Sequence, residues 1–208
     1  KQIILMADII QSRTKDSNVL MKDFKAIIDS ANLLFKKKLK SPLTITLGDE
    51  FQGVIQDVTT AIEILLYLEE EFIHKKLDFK LRYVLLEGII DTLINNKRAF
   101  EMLGPGLTES RESLSSLKET DNRFLISLEN KISTDILNNC FVIFQSFVAD
   151  WKVDKDYEIV SGFLQYQDYK KVSEMTNRNR SLIWKREKTL KIVPYNAIKN
   201  IIFSCTKL

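Results

Sequence analysis

The spacing of apolar residues changes several times along the chain, and each change marks an element. Ile3 to Ala7 is an unbroken apolar run that stops at Asp8 and gives way to Gln11, Ser12 and Arg13. This is the pattern of a buried strand over 3–8 that delivers a carboxylate at its exposed end. From Asn18 to Leu39, the residues Leu20, Phe24, Ile27, Ile28, Ala31, Leu34 and Phe35 recur at helical intervals and end in Lys36 to Lys38, whose charge suits a helix C-terminus. Strands over 42–47 and 51–56 flank Gly48 and Asp49, which supply the chemistry of a hairpin tip. Thr59 to His74 sets Ala61, Ile62, Leu65, Leu66, Leu68 and Phe72 on one broad face and reads as a second helix, and Phe79 to Ile90 reads as a buried central strand. The order is β-α-β-β-α-β. Gly104-Pro105-Gly106 then opens a helix over 107–117, and 123–128 supplies one more strand.

Beyond the polar stretch Glu129 to Thr134 the pattern is helical throughout, which puts a domain boundary at 130/131. Helices are predicted over 134–151 and 155–165. Two shorter ones follow over 168–175 and 179–188, separated by Thr176, Asn177 and Arg178 in helix-turn-helix spacing. Val172 and Ile183 are expected in their core, Ser173 at the helix crossing, and Asn177 in the left-handed conformation the turn requires. Pro194 is expected to precede a final helix over 195–203.

Charge alters the picture at the C-terminal end. Residues 1–168 hold 21 Lys and Arg against 26 Asp and Glu, net −5, whereas 169–208 hold 10 against 2, net +8. A basic end of this density points to a polyanion, with duplex DNA the first candidate. Helix-turn-helix geometry would bring Arg178, Asn179, Arg180, Ser181, Trp184, Lys185 and Lys188 to the DNA, and specific binding would call for a homodimer reading two half-sites. Asp8 ends the opening apolar run too early for a signal sequence, and no run approaches a membrane span, so a cytoplasmic protein with no membrane partner is expected. Cys140 and Cys205 lie in apolar sequence and read as buried thiols, His74 as a helix-end residue and Arg82 as structural.

The chemistry sits in the two acidic segments. Asp8 at a strand end and Asp49 with Glu50 at a hairpin tip would meet if their strands are neighbours, and carboxylates so placed suit a divalent ion and a nucleotide. Four pieces in order, Ala7 to Arg13 (ADIIQSR), Leu47 to Gly53 (LGDEFQG), Leu81-Arg82 to Glu87-Gly88, and Gly104 to Arg111 (GPGLTESR), resemble the SatD family across nearly the whole chain.

That resemblance implies an α+β protein: a ferredoxin-like βαββαβ domain of the nucleotide-cyclase or polymerase-palm kind over 1–130, then a small all-α helix-turn-helix domain over 131–208. By similarity to class III cyclases, Asp8, the Ile9 carbonyl and Asp49 would hold Mg or Mn. Ile10, Gln11, Ser12 and Arg13 would cradle phosphate, and Asp8, Asp49, Glu50 and Arg111 would serve catalysis. The sequence also departs from those enzymes. Ile45 stands where they keep a base-reading lysine, Leu107 where they keep an asparagine, and Leu47 where diguanylate cyclases keep a first glycine. Three readings stay open: a regulatory domain binding a nucleotide and a divalent metal, coupled to a DNA-binding helix-turn-helix; a metal-dependent nucleotidyl cyclase or nucleotidyltransferase acting on nucleoside triphosphates; and a non-catalytic partner-binding protein with a degenerate palm domain.

Overall fold

A computed structural model describes residues 1–10, 17–46 and 48–207. It is an α+β structure built on a mixed five-stranded sheet of order β2-β3-β1-β4-β5. The strands are β1 (Gln2–Ile9), β2 (Leu39–Ile45), β3 (Glu50–Ile55), β4 (Leu81–Gly88) and β5 (Phe124–Ser127). All pairings are antiparallel except β4 with β5, which is parallel. Central β1 is buried from Ile3 to Ile9 because both of its edges are paired and both of its faces are covered. Pro42 sits in β2, an outer strand, and the β2–β3 register shifts on either side of Ser41, where the missing N–H of proline does least harm.

Among the described residues there are eight α-helices: α1 (Ser17–Leu34), α2 (Val58–His74), α3 (Pro105–Leu117), α4 (Lys131–Val148), α5 (Tyr157–Tyr166), α6 (Tyr169–Thr176), α7 (Arg180–Thr189) and α8 (Ile192–Cys205). None is long and apolar enough to cross a membrane. The first helix is shorter than its apolar spacing predicts. Lys36–Lys38, with no buried side chain, tighten into a 3-10 turn, and β2 begins at Leu39. The last helix begins earlier than expected and takes Pro194 into its first turn, where a missing N–H costs no helical hydrogen bond.

Ten of the seventeen α2 residues are buried, from Thr60 to Ile73, more than a helix lying on one sheet face requires. Its second side is covered by α5 and α8, so one hydrophobic core runs from Ile3 in β1 to Cys205 in α8. Asn130, at the expected 130/131 boundary, caps α4 by accepting a hydrogen bond from Ser133 N, and the core passes that point without a break. Glu69 and Arg123 form a buried ion pair inside this core. Arg123 donates to both Glu69 oxygens, at 3.1 and 2.5 Å, and to the Leu81 carbonyl at 3.1 Å, tying α2 to β4 and β5.

Burial raises the tyrosines around this core, Tyr83 and Tyr195 well above the usual phenol range and Tyr157 to about 12. The folded state thus keeps the Tyr157 proton after the unfolded chain, with an ordinary value of 10, has lost it. The stability this contributes is complete below pH 10 and is lost as the pH rises through 12, falling by about 1.4 kcal/mol for each pH unit crossed. We expect Tyr157→Phe to flatten the alkaline fall of stability, measured by urea unfolding at stepped pH. An unchanged slope would contradict this role of Tyr157.

Candidate functional site

Residues alternate between the two faces of β1, and the even positions Ile4 and Met6 pack with Val84, Leu86, Leu114 and Leu117 beneath α3. Asp8 is the next even position, so its carboxylate lies on the α3 side of the sheet, at the end of the apolar strip. The register sets Glu50 of β3 on one side of it and Arg82 of β4 on the other. Glu50, and not Asp49, is therefore the residue level with Asp8. Asp49 lies on the connection just before β3, where its carbonyl accepts a hydrogen bond from Ile9 N at 2.9 Å.

α3 closes the site from above. Its spacing puts Arg111, Leu114 and Lys118 along one side at i, i+3 and i+7, with the leucine in the apolar strip and a cation on either side of it. The helix can lie this close because Gly88 at the end of β4 meets Gly106 in the first turn of α3. A Cβ on Gly88 would fall 2.6 Å from the Gly106 Cα, and one on Gly106 would fall 2.8 Å from the Gly88 Cα. The Gly106 N–H also donates to the Ile89 carbonyl at 2.9 Å.

Lys118 Nζ lies 2.9 Å from Asp8 Oδ2, and Arg82 Nη1 lies 3.6 Å from Asp8 Oδ1. Arg111 Nε is 3.9 Å from Glu50 Oε1, which also accepts a hydrogen bond from Thr46 Oγ1 at 3.3 Å. Arg111 Nη2 donates to Gln52 Oε1 at 3.4 Å, and Gln52 in turn donates to the Ala99 carbonyl. The five ionised side chains thus carry three positive charges against two negative. The carboxylates are buried, whereas the Arg111 and Lys118 side chains are about half exposed, at 55% and 48%. Such a set can hold an anion: two cations reach solvent and two carboxylates fix where they stand.

Asp8 Oδ1 is buried and accepts no hydrogen bond, which leaves a lone pair available to a metal. Against that, Lys118 and Arg82 already supply positive charge to the same carboxylate, and among the described residues no three His, Cys, Asp or Glu side chains converge to hold an ion. As arranged, Lys118 and Arg82 take the positions beside Asp8 from which an ion would supply positive charge. Ile9 belongs to β1 and Ile10 follows it, its N–H donating to the Lys80 carbonyl, while Gln11, Ser12 and Arg13 lie outside the described residues. Sequence reasoning missed Lys118 and Gln52 and read Arg82 as structural. The seven-residue step from Arg111 to Lys118 was the signal for the first.

The residues predicted for DNA form a separate group on α6 and α7. Asn177 joins the two helices in the left-handed conformation, with φ 50° and ψ 40°, and Val172, Ser173 and Ile183 are buried. Arg178, Asn179, Arg180, Ser181, Trp184, Lys185 and Lys188 are all exposed. Some are already engaged: Arg178 with Glu158 and Arg180 with Glu174, each at 3.0 Å, Asn179 as the cap accepting from Ser181 N, and Lys188 over the Trp184 ring at 3.6 Å. His74 hydrogen-bonds Ser161 at 2.8 Å and so links α2 to α5.

The model of the SatD family matches residues 2–201. No curated protein matches the chain. Among solved structures, a bacterial light-regulated adenylyl cyclase aligns at 14% identity and a TM-score of 0.43, over 60% of this chain and 74% of that one.

If Asp8 anchors the charge set, Asp8→Asn leaves Arg82 and Lys118 facing each other and costs about 2–4 kcal/mol of stability, while Lys118→Gln, at a half-exposed position, costs about 1 kcal/mol or less. Urea unfolding of the purified full chain reads both. Equal losses would contradict the anchoring role.

Proposed function

The chain belongs to the SatD family, and from that premise we propose that it binds the phosphates of a nucleoside polyphosphate between the sheet end and α3 as a ligand-responsive protein and not a cyclase. The observation that carries this reading is the excess of cations over carboxylates at Asp8, Glu50, Arg82, Arg111 and Lys118, with Arg111 and Lys118 exposed. A polyphosphate neutralises the excess, draws Arg111 and Lys118 onto its oxygens, and leaves Asp8 with Arg82. Asp8 and Glu50 then act as positioning groups, and Lys118 supplies at Asp8 the positive charge that a cyclase takes from a metal. Ile45 and Leu107 agree with this reading, because the lysine and asparagine used by class III cyclases are absent at those positions.

A second reading joins the first and concerns the basic end. The exposed run from Arg178 to Lys188, in a segment of net charge +8, suits the phosphates of duplex DNA. Ligand binding at α3 and DNA binding at α7 would then belong to one regulatory protein.

Titration calorimetry with adenosine and guanosine triphosphates, with Mg and again with EDTA, tests the main reading. We expect saturable binding that survives EDTA and weakens about tenfold in Arg111→Gln, the loss of one charge-assisted contact, with no cyclic or oligomeric product on ion-exchange analysis. Binding seen only with Mg or Mn would return the site to the metal-dependent reading. No binding under any condition would overturn nucleotide recognition.

A further inference from the structure

Away from the Asp8 face, a cavity of about 290 Å³ opens where the end of β1, the start of β4 and the α4–α5 connection meet. Its lining includes Ile10, Phe79, Lys80, Trp151, Lys152 and Tyr157. Two of its polar groups lack partners among the described residues. Lys80 is half-buried, yet no carboxylate lies within ion-pair distance of its ammonium, and the Tyr157 hydroxyl, on a residue only 4% exposed, makes no hydrogen bond. Glu69, a buried acid whose charge acts on Lys80, is committed to Arg123.

Lys80 lines the cavity with no ion-pair partner among the described residues, so its ammonium is available to an anion that enters from solvent. Burial, reinforced by the Arg123 charge, holds Lys80 below the ordinary lysine range. Exposed Lys152 adds a second positive charge to the lining, and exposed Asp78 is the one carboxylate among its described residues. Phe79, Trp151 and Tyr157 supply aromatic surface, and Trp151 is fixed by its Nε1 donating to the Leu190 carbonyl at 3.0 Å. The volume exceeds that of a bare oxyanion and leaves room for an organic body against the rings.

We propose that this cavity is a binding site for a small phosphate monoester, with the Lys80 ammonium and the Tyr157 hydroxyl as its donors and Lys152 balancing the second negative charge. A phosphate dianion suits two lysines and a phenol better than a carboxylate does, because it offers three terminal oxygens to three donors. The site is separate from the proposed polyphosphate site and does not depend on it.

Calorimetry of the full chain with inorganic phosphate, adenosine monophosphate and acetate tests the proposal. We expect saturable binding of the two phosphates and none of acetate, with adenosine monophosphate tighter than phosphate if the aromatic surface holds the organic body. Lys80→Gln should weaken binding about tenfold and Tyr157→Phe several-fold, as expected for a charged and a neutral hydrogen bond. Lys152→Gln, at an exposed position where folding is not at stake, should weaken it several-fold as well. The titrations are repeated in the Arg111→Gln, Lys118→Gln double variant, which removes the exposed cations of the Asp8 face; phosphate binding that persists there and is lost on adding Lys80→Gln belongs to the cavity. Absence of phosphate binding, equal binding of acetate, or affinity unaltered in both Lys80→Gln and Lys152→Gln would overturn the proposal.

Discussion

The antiparallel register of β1 between β3 and β4 is the constraint on which the rest depends. It sets Asp8 level with Glu50 on one side and Arg82 on the other, and a slip of one residue would turn Asp8 to the opposite face. That opposite face belongs to the main hydrophobic core, where Leu5, Ala7, Phe51, Leu81, Tyr83 and Leu85 are fully buried, so an unpaired carboxylate there would be costly. The hydrophobic core thereby specifies the polar site: burial of the odd positions of β1 forces the even ones, and Asp8 with them, under α3.

Two further features turn that placement into a site. The Gly88–Gly106 contact lets the first turn of α3 approach the end of β4, so the helix crosses the sheet with Arg111 and Lys118 on either side of Leu114. The buried Glu69–Arg123 pair ties α2 to β4 and β5 and fixes the far edge of the same sheet. Its geometry is favourable, since Arg123 also satisfies the Leu81 carbonyl and stacks over Phe124 at 4.8 Å, which offsets part of the desolvation of both charges. The helices after residue 130 complete this architecture by covering the second side of α2, and α6 and α7 carry their exposed basic residues at its periphery.

Much of the element order was legible because the apolar periods are clean. The strand ending at Asp8, the hairpin around Gly48 and Asp49, and the left-handed Asn177 between two short helices each follow from local chemistry. Boundaries moved where local rules compete: Lys36 to Lys38 are good helix residues with no face to bury, and Pro194 is tolerated because it falls in a first turn. The charge set was only half legible. Asp8 and Glu50 are marked by where their strands end, but the pairing of Asp8 with Lys118 depends on the crossing of α3 over the sheet, a long-range packing result. The Lys80 cavity and the Glu69–Arg123 pair were not legible, since each joins residues from distant elements with no local signature.

Capture of polyphosphate by Arg111 and Lys118 over the Asp8–Glu50 pair is tested most directly by a structure of the full chain with a non-hydrolysable nucleoside triphosphate. Phosphate oxygens are expected within hydrogen-bond distance of the Arg111 guanidinium and the Lys118 ammonium, with Lys118 drawn away from Asp8. Phosphates bound elsewhere, with Lys118 still paired to Asp8, would contradict that role.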